Sequence, residues 1–135
     1  MVTLKEQYGL SYDISRAGTS LTLWYDRLID KTSDNLDILD ICRMLRHDIV
    51  KELATPIAIE MLMKDPFDGF LYGGELLAMV VEHGVNLYSI NNLSELSKRL
   101  RVAKTDPEIF ELIGDIHRPK FLAHIDTFIA MIEAL

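Results

Sequence analysis

This sequence lacks most of the features that announce chemistry. It has one cysteine, Cys42, so no internal disulfide can form, which fits a reducing compartment. No apolar run approaches the ~20 residues needed to span a bilayer. The opening MVTLKEQYGLSYDISRAG has no apolar centre like that of a signal peptide. The expectation is a cytoplasmic protein with no membrane partner. Basic residues are outnumbered, 14 Lys and Arg against 21 Asp and Glu, for a net charge of −7. That balance disfavours direct binding of nucleic-acid phosphates and suits a basic protein partner. There is no H-E-x-x-H, no C-x-x-C and no nucleotide-binding glycine pattern. Gly73-Gly74 precedes a helix, but without a following lysine it is no phosphate loop.

What is present is apolar content, 49% of 135 residues, enough for one core. The periodicity predicts an all-α, single-domain bundle of about six or seven helices over residues 1–135, with 1–18 an N-terminal arm. Tyr8, Leu10, Tyr12 and Ile14 alternate with polar or small residues, so a short strand is the alternative for the arm. Thr19 or Ser20 caps a helix running to about Lys31, with Trp24 expected inside. The stretch from Asp37 to Leu77 organises the chain. Ile38, Ile41, Leu45 and Ile49 form one buried stripe, with Asp37, Asp40, Arg43 and His47 on another side. This helix is expected to end before Pro56, with Thr55 as the cap of the next. That second helix is apolar almost all round, ending at Asp65-Pro66. A third starts after Gly74 and stops at Gly84. Asn92 and Glu95 have capping-box spacing, and Asp106-Pro107 opens another helix. Phe121, Leu122, Ile125, Phe128, Ile129 and Ile132 give the last helix a wide apolar face. Lys98, Arg99, Arg101 and Lys104 make the one basic patch, placed where a helix C-terminus favours cations.

The central pieces resemble the immunity proteins of bacterial contact-dependent growth inhibition (CDI) systems. The resembling pieces are LWYDRLIDK (Leu23–Lys31), Leu36–Ile49, Ala54–Pro56, Ala58–Glu60, Asp65–Phe67 and Gly74–Leu77. They cover roughly the middle of the chain, and their order is more specific than any one of them. Members often carry acids near the positions held here by Phe70 and Gly73, so the loop most apt to set partner choice departs from the pattern. The resemblance implies a protein that binds the C-terminal toxin domain of a delivered effector, typically a nuclease, and blocks it stoichiometrically. It implies no enzyme activity.

The remaining residues agree with an absence of catalysis. His47 and Asp48 are adjacent and point ~100° apart on a helix, which suits no shared ligand. His117 and His124 are seven apart, and Pro119 between them argues against a common face. Cys42 lies beside the buried stripe, where a thiol is usually inert. The expectation is therefore no catalytic residue, no metal and no cofactor. The rival readings are a small helical regulatory or nucleic-acid-associated protein, disfavoured by the charge, and a metal-dependent hydrolase, disfavoured by the scattered histidines. The toxin-contacting residues expected are Asp37, Asp40, Asp65, Asp68, Tyr72 and Glu75, with a basic nuclease as partner. Asp37 and Glu75 could instead serve helix N-termini, and Asp65 could simply end a helix.

Overall fold

The computed structural model describes residues 2–12 and 19–135, with the side chain of Phe110 left aside. The described residues are helical and contain no strand. The chain divides into two compact units, 1–40 and 41–135.

The first unit holds α1 (Leu4–Tyr8), α2 (Ser20–Ile29) and the start of α3 (Ile38–Arg46). Thr19 caps α2 through its hydroxyl, as its position predicts. The alternation at 8–12 makes no strand. Tyr8 closes α1 and Gly9 ends it in a left-handed conformation. Ile14, the last residue of that expectation, lies outside the described residues. The described part of the arm is tied down. The Leu4 N–H donates to the Lys31 carbonyl at 2.9 Å, and the Tyr12 hydroxyl donates to Asp30 at 2.7 Å. Leu4, Trp24, Leu28 and Ile29 are buried.

In the second unit, α4 (Lys51–Lys64), α5 (Glu75–His83), α6 (Leu93–Ala103) and α7 (Pro107–Glu133) close on one another. Helix α5 packs on α4 and α7, and α6 packs on the same two. Ile41, Leu45, Ile59, Leu62, Leu77, Ile125 and Phe128 are buried as the stripes predict. Ile38 is only half-buried.

Two breaks fall elsewhere than the sequence suggests. Helix α3 ends at Arg46, well before Pro56. The Ile49 N–H bonds back to the Met44 carbonyl and the Asp48 N–H to that of Leu45, with Asp48 left-handed at φ 58°. This is the Schellman ending usually supplied by glycine; aspartate tolerates it because its short polar side chain bonds locally. Val50 at φ 43° then starts α4 under real strain for a β-branched residue. Pro56 lies inside α4. Thr55 is no cap: its buried hydroxyl accepts from the Val85 N–H at 3.2 Å. The second break is Gly114, whose φ of 73° and ψ of 171° interrupt α7, so the helix continues through Pro119 from a restart just after the glycine. Asp106 caps α7 and Pro107 opens it, as expected. Asn92 precedes α6 in a left-handed conformation without a side-chain cap, so the capping box with Glu95 does not form.

Leu62 is fully buried in α4. Leu62→Ala is expected to cost ~2–5 kcal/mol, read from the urea midpoint of the two proteins.

Candidate functional site

The loop between α4 and α5 is built around one carboxylate. Glu75, the first residue of α5, is 0% exposed. Its Oε1 accepts the Phe70 and Leu71 N–H groups at 2.8 and 2.9 Å, and its Oε2 takes the Arg46 guanidinium at 2.8 Å. The Cys42 thiol also donates to it. Burial alone would raise the Glu75 carboxyl; the Leu71 N–H, Arg46, the Phe70 N–H and Cys42 outweigh it and hold the group below its ordinary value. Burial, with the Glu75 charge beside it, pushes the Cys42 thiol up to about 12, so it stays protonated and inert.

Backbone bonds tighten the same loop. The Gly74 N–H donates to the Phe67 carbonyl at 2.8 Å and the Leu76 N–H to that of Asp68 at 3.1 Å. The chain doubles so closely that side chains are excluded at two places. A Cβ on Gly69 would run into the Tyr72 carbonyl, and one on Gly73 into the Phe67 ring. Phe67 in turn meets Phe121 of α7 edge-on, with centroids 5.5 Å apart.

This scaffold holds three consecutive apolar side chains in solvent. Phe70, Leu71 and Tyr72 are 52%, 65% and 45% exposed. Beside them a cleft of about 200 Å³ is lined by Tyr72, Gly73, Gly74, Glu82, His117, Lys120, Phe121 and His124. The Tyr72 ring stacks on His117, 18° from parallel. Burial, with the Glu75 charge next, raises the Tyr72 hydroxyl, so it remains a donor.

The sequence-expected contact residues separate into kinds. Asp40 is 2% exposed and is no surface acid. It accepts the Trp24 indole N–H at 2.9 Å and the Lys31 ammonium at 2.7 Å, and its Oδ2 receives the Asp37 N–H. Asp37 is exposed and caps the Asp40 N–H at 2.9 Å. Both belong to the first unit. Asp65, Asp68, Tyr72 and Glu75 come together in the loop of the second. Asp65 is exposed and accepts the Phe67 N–H; half-buried Asp68 accepts the Gly69 N–H. Burial, then the neighbouring Asp65 charge, raises the Asp68 carboxyl. Glu75 supports the loop from within.

Sequence reasoning passed over Phe70 and Leu71 as contact residues. Their signal was a run of three large apolar residues between glycines, in a loop otherwise fit for solvent. It also kept His117 and His124 apart on account of Pro119. The restart at Gly114 puts both on the cleft. The basic patch on α6 is largely answered by α7: Arg101 pairs with Glu133 at 2.5 Å and Lys104 with Asp126 at 2.6 Å. Among the described residues no group of His, Cys, Asp and Glu could hold a metal ion, and no helix is long and apolar enough to cross a membrane.

The Glu75 carboxyl titrates lower folded than unfolded, so its contribution is present above the unfolded value and lost as pH falls through the folded one. Glu75→Gln is expected to destabilise the protein by ~1.5–3 kcal/mol at pH 7. The gap between parent and variant should narrow below pH 4.5, the ordinary value of the group, in urea titrations across the acid range.

A search of the curated proteins finds no match. The family model of the CDI immunity proteins matches residues 7–100, which takes in the whole clamped loop and ends before α7. A match over well more than half its length places this chain in the CDI immunity protein family, whose members are non-enzymatic, toxin-neutralising inhibitors.

Proposed function

We propose that this protein acts in the cytoplasm, where it binds the C-terminal domain of a contact-delivered effector, a nuclease, one to one, and covers its active site or its path to substrate. The observation that carries the reading is the exposed Phe70-Leu71-Tyr72 run on a loop already fixed from beneath. Large apolar side chains in water need a reason, and partner anchors are the usual one. A loop ordered before binding loses little entropy on association, so its buried area converts well into affinity. The net charge of −7 and the acids Asp65 and Asp68 beside the run suit a basic nuclease, whose approach they would speed. Asp40 and Glu75 hold their units together rather than touch the toxin. Asp37 remains a surface candidate in the first unit.

The test uses the C-terminal domain of the cognate effector, titrated calorimetrically and assayed for DNA and RNA cleavage. One equivalent should abolish cleavage. Leu71→Asp is expected to weaken binding by more than ~2 kcal/mol, and Tyr72→Ala to act mainly by faster dissociation. Asp68→Lys should slow association, most at low salt. A toxin domain that cleaves no nucleic acid, or binding unchanged in all three variants, contradicts the reading.

A further inference from the structure

The cleft beside the loop differs in chemistry from the acidic chain around it. Its polar groups are mostly donors: the Lys120 ammonium, the Tyr72 hydroxyl and the imidazoles of His117 and His124. Its one acid, Glu82, is already bracketed, with Oε1 3.6 Å from the Nε2 of His124 and Oε2 3.8 Å from that of His83. Among the described residues no acid pairs with Lys120, and none accepts from the Tyr72 hydroxyl. Tyr72 belongs both to the apolar run and to the cleft wall, so a partner seated on Leu71 and Tyr72 reaches the cleft mouth.

We infer that the cleft takes up an acidic side chain of the toxin, its carboxylate held by Lys120 and the Tyr72 hydroxyl against the face of His117. This rests on the toxin-binding reading above and sharpens it. The toxin surface over the loop is then mixed, basic opposite Asp65 and Asp68, with at least one acid opposite Lys120. Such an alternation fixes register as well as affinity, because a sliding partner would set like charges face to face. The volume of about 200 Å³ is room enough for a carboxylate side chain. The overall charge of −7 sets the cleft against a polyanion such as a nucleic-acid strand.

The experiment measures binding of the same toxin domain to four single variants, each checked for unchanged helical signal and melting. Lys120→Glu should weaken binding at least ~30-fold, and Lys120→Met ~10-fold. Lys98→Glu makes the same charge change on exposed α6, away from the cleft, and should stay within ~3-fold. Leu71→Asp reports on the loop itself. If Leu71→Asp destroys binding while Lys120→Glu leaves it unchanged or tightens it, the acidic-group inference is overturned and the loop reading stands. If every variant binds like the parent, both fall. A single-stranded oligonucleotide is titrated in parallel. Binding of that strand, lost in Lys120→Glu, would also overturn the inference by making the cleft a phosphate site.

Discussion

The buried carboxylate of Glu75 is the interaction on which the site depends. A charge wholly out of water is tolerable only when its lone pairs are filled. Here two backbone N–H groups, a guanidinium and a thiol fill them. Those donors come from α3 and from the loop, and the acceptor from the first turn of α5. One side chain therefore joins three parts of the second unit: α3, the loop after α4, and α5. It also turns the N–H groups of Phe70 and Leu71 inward, which leaves their side chains facing out.

The glycines complete what the carboxylate begins. At Gly69 and Gly73 the backbone passes too close to Tyr72 and Phe67 for any side chain. An acid at Gly73 would need a loop that opens around the Phe67 ring. The result is a short, fixed projection of three apolar residues beside a donor-lined cleft. A projection of this kind keeps its shape without a partner, so an association through it would lose little to ordering.

The helices were legible because apolar spacing, Thr19, Gly84 and Asp106-Pro107 speak locally. So was the α5 start after Gly74. Other features were written in groups that sequence reading takes for surface. Asp40 looked like an acid of the polar face, yet Trp24 and Lys31, distant in sequence, make it an interior acceptor. Glu75 looked like a first-turn acid favoured by the dipole, yet its partners lie in the preceding loop and on α3. Pro56 drew the helix break to itself, whereas the break belongs to Asp48, one of the few non-glycine residues able to take a left-handed turn. For Asp40 and Glu75 the deciding partners lay outside the window that periodicity can see; at Asp48 the signal was local, and the nearby proline outweighed it.

The preformed loop is proposed to be what the toxin covers. Hydroxyl-radical footprinting of the protein, free and saturated with the toxin domain, tests it most directly. Phe70, Leu71 and Tyr72 should be labelled freely in the unbound protein and strongly protected in the complex. Tyr88, exposed on the short turn at Leu87–Ser89, should be labelled equally in both. A loop still labelled in the saturated complex, with protection at Tyr88 instead, would contradict the account.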